Sequence, residues 1–171
     1  GIFDAFRQPK YAYYLFRSQS SPSLHVPLVD DGPMVYIAHE MTQFSDSDVV
    51  VFSNCDSVRL SIYDGAKSWI QPVVHAKGHM PDPPVVFHYV WDFWEARQHS
   101  YSEKNWQKVN MVAEGIIDGK VVCSMKRMPS RRSTKLRLKV DRLNCPLVAD
   151  GSDFIVVVAE VTDDSGNVRR L

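Results

Sequence analysis

The sequence has 171 residues, 44% apolar and 23% charged, and lysine plus arginine equals aspartate plus glutamate. This is the mix of an ordinary globular protein, long enough for one full core and part of another. A formal net charge of zero gives no overall field for nucleic acid or an acidic membrane surface, and no run approaches the roughly 20 apolar residues that a spanning helix needs.

In chain order, Pro9 suits the first turn of a helix, where its missing N–H costs nothing. Lys10 to Arg17 then reads Lys-Tyr-Ala-Tyr-Tyr-Leu-Phe-Arg and is apolar or aromatic on every side from Tyr11 to Phe16. Such a helix wants burial on most faces. At the start of this chain it is expected to be poorly enclosed, its packing partners lying elsewhere in a longer protein. The opening Gly1-Ile2-Phe3-Asp4, without an initiator Met, and the final Arg169-Arg170-Leu171 after a turn are read the same way, as boundaries inside a longer parent.

Ser18 to Pro33, rich in Ser, Pro, Asp and Gly, reads as a linker. From Met34 the pattern turns to strands: Met34 to Ala38, Val49 to Ser53, Val58 to Tyr63, Ser68 to Val73, Val85 to Val90, Lys108 to Ile117 and Lys120 to Met125. Val58-Arg59-Leu60-Ser61-Ile62-Tyr63 alternates cleanly, and Asp64-Gly65 after it is a two-residue hairpin signal. Ile117-Asp118-Gly119-Lys120 repeats that signal. Seven short strands separated by turns describe an immunoglobulin-like sandwich. Arg127 to Ser133, with Pro129 and a basic cluster, breaks the pattern, and the basic run Lys126 to Arg137 reads as a solvated interdomain link. Two more strands follow, Lys135 to Val140 and Phe154 to Thr162, too few to close a second sandwich alone.

The segment Gly1-Ile-Phe-Asp-Ala-Phe-Arg-Gln-Pro-Lys-Tyr-Ala-Tyr-Tyr-Leu-Phe-Arg-Ser-Gln19 resembles the end of the catalytic barrel of glycoside hydrolase family 2, as found in bacterial β-galactosidases. Val51 to Asp56, Val58 to Gly65, Pro83 to Phe87 and Asp118 to Val122 resemble the sandwich that follows that barrel, and Leu136 to Asn167 resembles the start of the family's next sandwich. The resemblance implies a mainly β fold: an immunoglobulin-like β-sandwich at 34–130, an N-terminal helical remnant of a TIM barrel at 1–20, a linker at 21–33, and a truncated second β domain at 131–171. It implies an accessory region of a sugar-cleaving enzyme that braces the barrel and positions later domains. Its partners would be that barrel and the neighbouring domains of the same parent chain, with carbohydrate as a further candidate. No cofactor is implied. A periplasmic or secreted parent fits a bacterial hydrolase, although no signal for it is present. One stretch departs from the family: Asp92 to Gln107 is inserted after Trp91 and is expected to be a surface excursion outside the core sheets, anchored by Trp94 and Trp106.

Family 2 hydrolysis uses two glutamates on barrel strands, with carboxyls about 5 Å apart in a retaining mechanism. The glutamates here, Glu40, Glu95, Glu103, Glu114 and Glu160, lie in no matching barrel strand, so no catalytic residue is assigned and surface carboxylates are expected. Trp91, Trp94, Tyr101 and Trp106 form a candidate sugar-stacking platform, the second functional reading being a carbohydrate-binding module. Their alternative role is to end a core strand and pack the insertion. A third reading, a cell-surface adhesion sandwich, is opposed by the barrel-like first segment.

No metal site is assigned. His75, His79 and His88 share a segment with Pro72, Gly78 and Pro81, which opposes a helical His-x-x-x-His pair, and they read as loop histidines. Asp150, Asp153, Asp163 and Asp164 lack an EF-hand pattern and read as turn residues. Cys55, Cys123 and Cys145 fit neither a disulfide framework nor a zinc ribbon. They are expected as free thiols, and a bridge stays open if two of them lie on facing strands.

Overall fold

The structure is a computed structural model that describes residues 1–27, 29–74, 80–102, 106–129, 131–141 and 146–168, without the side chains of Tyr101, Ser102 and Trp106. The chain divides into two compact units, Gly1–His25 with Asp31–Pro129, and Val26–Asp30 with Ser130–Leu171.

The larger unit is a two-sheet sandwich. One sheet has the order β1-β2-β5, with β1 Val35–Ala38, β2 Val49–Ser53 and β5 Val85–Phe87. The other has the order β4-β3-β6-β7, with β3 Ser57–Ile62, β4 Lys67–Pro72, β6 Met111–Ile117 and β7 Lys120–Arg127. All pairings are antiparallel. Strand β3 shows why the sheets pack: Val58, Leu60 and Ile62 point inward and are fully buried, while Ser57, Arg59 and Ser61 face out. Ile37, Val49, Val51, Phe87 and Met111 complete the same core from the neighbouring strands.

Sheet β1-β2-β5 is covered on both faces, which explains its nearly unbroken apolar runs. Met34, Tyr36 and Phe52 point away from the sandwich interior and form a second buried cluster. Helix α1, Tyr11–Arg17, lies on them through Tyr11, Tyr14 and Leu15. Tyr14 stacks flat on Tyr36, with centroids 3.6 Å apart and planes 10° apart. The Arg127 guanidinium sits 5.6 Å from the Tyr36 ring centre and donates to its hydroxyl at 3.1 Å. Thus one face of the helix finds its partner within the chain. Its other face is more open: no α1 residue is fully buried, and Phe16 is 62% exposed, as Phe6 upstream is at 84%.

The linker is pinned by two side-chain amides. Gln19 and Asp82 exchange bonds, Nε2 to the Asp82 carbonyl at 2.8 Å and the Asp82 N–H to Oε1 at 3.0 Å. Asn54 accepts the Met34 N–H and donates to the carbonyls of Ser20 and Gly32.

Two strand ends differ from the sequence reading. Strand β5 stops at Phe87 because Asp48 captures the next residues, accepting the Tyr89 N–H and pairing with His88 at 2.6 Å, and Tyr89 takes a φ of 56°. The Asp64-Gly65 connection is not a two-residue turn. Ile62 pairs with Lys67, leaving a loop from Tyr63 to Ala66 in which Tyr63, Asp64 and Gly65 all have positive φ. The Asp118-Gly119 turn is a two-residue hairpin, joining Ile117 directly to its partner Lys120 with both turn residues at positive φ.

The described residues of 92–107 lie outside the sheets, between β5 and β6, but they include a helix, α2, Phe93–Ser102, and the start of a 3₁₀ turn at Trp106–Lys108. Asp92 caps α2, its Oδ1 accepting the N–H groups of Trp94 and Glu95. The helix is anchored by Phe93, which packs against the core, by buried Ala96, and by His99, stacked 4.0 Å from Tyr63. Trp94 is not an anchor, being 66% exposed, and the Trp106 side chain falls outside the described residues.

His39, just after β1, is buried and holds the following loop. Its Nε2 meets the Asp46 carbonyl at 2.8 Å and its Nδ1 accepts the Met41 N–H at 3.1 Å. Burial pushes its pKa below the usual imidazole value.

The smaller unit contains β8, Lys135–Asp141, paired antiparallel with β9, Val156–Thr162. Leu136, Leu138 and Val140 share one face with Val161, Ala159 and Val157, and all of them stand exposed. Asp163 closes the ribbon's end, accepting from the N–H groups of Arg131, Ser165 and Asn167 and from the Asn167 side chain. Burial works against its charge, but these bonds outweigh it and hold its pKa below the carboxylate range.

Three outcomes are expected. Gly115→Ala should lower the unfolding free energy by about 1–3 kcal/mol in denaturant titration, because a Cβ there would lie 2.5 Å and 2.7 Å from the Cys55 and Cys123 sulfurs and 3.0 Å from Val35 Cγ1. Phe93→Ala should cost about 2 kcal/mol and Trp94→Ala less than about 1, the reverse of what a Trp94 anchor requires. A depressed folded pKa at His39 means that the unfolded chain binds the proton first on acidification. The contribution of His39 should therefore be complete above about pH 6.5 and fade as pH falls below it, and His39→Gln should flatten that part of the stability profile.

Candidate functional site

The aromatic platform expected from Trp91, Trp94, Tyr101 and Trp106 is not assembled by the described side chains. Trp91 belongs to the core, only 4% exposed, its Nε1–H donated to the Thr42 carbonyl at 3.0 Å and its ring edge-on to His39. It has no face to offer a sugar. The physical reason is the turn that follows β5, where Val90 and Trp91 both donate their N–H groups to the Ser47 carbonyl and are buried. Trp94 is on the surface, with the Arg97 guanidinium 5.9 Å from its ring. Tyr101 lies in α2 and Trp106 in the 3₁₀ turn, and their side chains lie outside the described residues.

The described glutamates occupy separate ion pairs. Glu40 accepts the Tyr11 hydroxyl and lies 3.3 Å from Arg127. Burial and this bond to Glu40 push the Tyr11 phenol upward. Glu95 pairs with Lys67, Glu114 with Arg59 at 3.1 Å, and Glu160 with Arg137 at 2.7 Å. Glu103 lies outside the described residues.

Asp150 accepts the N–H groups of Ser152 and Asp153 and the Ser152 hydroxyl, the turn chemistry expected of it. These bonds, that of the Ser152 N–H first, lower its pKa. Among the described residues no three His, Cys, Asp or Glu side chains gather as a metal set. His75 and His79 fall outside them, as does Cys145.

Two further features stand out, a depression not singled out in the sequence and an approach of two cysteines that the sequence had left open. A shallow depression of about 540 Å³ opens on the β3–β4 surface, lined by Asp56, Ser57, Arg59, Trp69 and Ile70 among others. Trp69 lies opposite Leu60 in the strand register, and its ring is partly packed on the core. The second feature is a pair of thiols. Cys55, in the crossing from β2 to β3, and Cys123, on β7, are both free, with sulfurs 3.8 Å apart. A bond from the Cys123 thiol, opposed by burial, brings Cys55 down to about 7, while the same shared proton and burial push Cys123 upward. Sequence spacing could not reveal this approach, since 68 positions separate the two.

No family model matches the chain. A β-galactosidase of Thermoanaerobacter pseudethanolicus is 32% identical over 98% of this chain, and one of Thermoanaerobacterium thermosulfurigenes is 27% identical over 98%. A third, from Rhizobium meliloti, is 26% identical over 94%. The chain spans only 20–22% of the length of these relatives. Among solved structures, a β-glycosidase from Bacteroides vulgatus superposes with a TM-score of 0.64 at 23% identity, over 98% of this chain and 18% of that one. A β-glucuronidase from glycoside hydrolase family 2 gives 0.59 at 23% identity, over 98% of this chain and 15% of that one. The chain is thus similar over nearly its whole length to about one fifth of a β-galactosidase, and it shares the β-sandwich fold of structures from glycoside hydrolase family 2.

Proposed function

We propose that this chain is a non-catalytic bracing region of a β-galactosidase-like hydrolase of O-glycosyl bonds. The observation that carries the reading is the docking of α1 on the outer face of β1 and β2. Tyr14 stacked on Tyr36, with Arg127 bridging to Glu40, makes residues 1–20 continuous with the sandwich core. The opposite side of that segment keeps Phe3, Phe6 and Phe16 exposed, the surface that a catalytic barrel would cover. In the parent, the sandwich would fix the end of the barrel through this helix. The apolar face of β8 and β9 would be covered by further strands of its own domain. The paired glutamates that cleave the glycosidic bond would belong to the barrel.

A second reading, carbohydrate binding, draws on the depression lined by Trp69 and Ile70 together with Asp56, Ser57 and Arg59, the pairing of apolar surface with polar groups that sugars require. Titration with galactosides, followed by tryptophan fluorescence in the parent chain and in Trp69→Ala, separates the two: saturable binding lost in the variant favours the module, and a flat titration favours the brace.

The bracing role makes its own prediction. The 171-residue chain should not hydrolyse nitrophenyl β-glycosides. Turnover lost on substituting one of the chain's own carboxylates would overturn the reading. In the intact parent, Tyr36→Ala should remove about 0.5–1.5 kcal/mol of stacking beyond its buried area, lowering the thermal inactivation temperature while KM stays near its original value. A changed KM at unchanged stability would instead mean that this face acts on the substrate.

A further inference from the structure

We propose that Cys55 and Cys123 are a disulfide-forming pair, joined by two-electron oxidants of the peroxide class into a strap between the β2–β3 crossing and strand β7. This inference is independent of the bracing role.

The geometry begins with Gly115. It pairs with Cys123 across the β6–β7 ladder. The neighbouring carbonyl, Ile116 O, accepts the N–H of Asp56 at 3.0 Å, so the residue after Cys55 is tied to β6 at almost the same point. Both thiols converge on the space above Gly115, where a side chain would meet them at 2.5 Å and 2.7 Å. The missing Cβ is what lets the sulfurs come within 3.8 Å of each other. A disulfide needs about 2.05 Å, a closure of somewhat under 2 Å that rotation about two Cα–Cβ bonds and a small strand shift can supply.

The shift has a place to occur. Strand β7 is at the edge of its sheet, with β6 as its ladder partner among the described residues. The ladder between them is already irregular at Gly115/Ile116, beside Cys123. Cys55 is held more firmly, 1% exposed, its N–H donated to Ser53 Oγ at 3.1 Å. Cys123 is only half-buried.

The chemistry balances. One of the two thiols attacks hydrogen peroxide through its sulfur, the O–O bond breaks, and it becomes a sulfenic acid as the first water leaves. The sulfur of the other cysteine then displaces the sulfenic hydroxyl, which leaves as the second water with that thiol's proton. Both S–H bonds are lost, one S–S bond forms, and two electrons pass to the peroxide.

The test uses the reduced chain, hydrogen peroxide, and thiol counting by N-ethylmaleimide and mass spectrometry under denaturing conditions. Two alkylatable thiols should disappear, the mass should fall by two hydrogens, and one crosslinked peptide pair should contain Cys55 and Cys123. Dithiothreitol should restore both thiols. Cys145→Ser should form the same bridge, whereas Cys123→Ser should not. Closing so long a loop should raise Tm by roughly 5–15 °C. Sulfinic acid at Cys123 with Cys55 still alkylatable would overturn the proposal, as would a bridge running to Cys145 or only between molecules. Should Cys123→Ser fail to fold, the crosslink map of Cys145→Ser decides alone.

Discussion

The flat contact between Tyr14 and Tyr36 is the point on which the larger unit turns. A three-stranded sheet in a sandwich normally has one face in the core and one toward water. Here Met34, Tyr36 and Phe52 on the outer face are apolar, so β1 and β2 need a second cover. A helix with an aromatic stripe supplies it, and a ring laid on a ring buries much area with little loss of side-chain freedom. Arg127 from the other sheet reaches the same ring. Helix, first sheet and second sheet therefore meet at one side chain. The linker is tied down at both ends, Gln19 exchanging bonds with Asp82 and Asn54 donating to the carbonyls of Ser20 and Gly32.

Much of this architecture was legible in the chain. Val58, Leu60 and Ile62 alternate with Ser and Arg, and that alone places β3 half in the core. Asp118-Gly119 forms the tight turn its composition demands, because both residues tolerate positive φ. The same dipeptide at Asp64-Gly65 sits in a longer loop, since Tyr63 leaves the ladder one residue early, its N–H going to the Asn110 carbonyl and its ring meeting His99. A dipeptide propensity cannot carry that tertiary contact. Helix α2 was missed although its signals were present: Asp92 with Glu95 three residues on is a capping pattern, and Phe93, Ala96 and His99 recur at helical spacing. A mean polarity with no β alternation conceals a short helix that buries only one narrow stripe.

The candidate site was less readable, for a simple reason. A tryptophan that stacks on a sugar and one that fills a core have the same identity in a sequence. Trp91 follows a strand whose end is drawn inward by Ser47 and Asp48, residues some forty positions earlier. That long-range capture decides its burial. The family resemblance fared better because it rests on ordered stretches spread along the chain, each tied to a structural requirement, and relatives align with nearly all of it.

The paired ribbon of the smaller unit has a consequence for solubility. Strands β8 and β9 form a two-stranded sheet among the described residues, so each has an edge without a ladder partner there. The apolar side, Leu136 to Val140, would favour stacking of copies. The reverse side of β8 carries Lys135, Arg137 and Lys139 at every second position. A second β8 laid alongside in register would place like charges at the ~4.8 Å strand spacing, in a row three deep. The same alternation that gives this strand a face to bury thus also works against fibrillar growth.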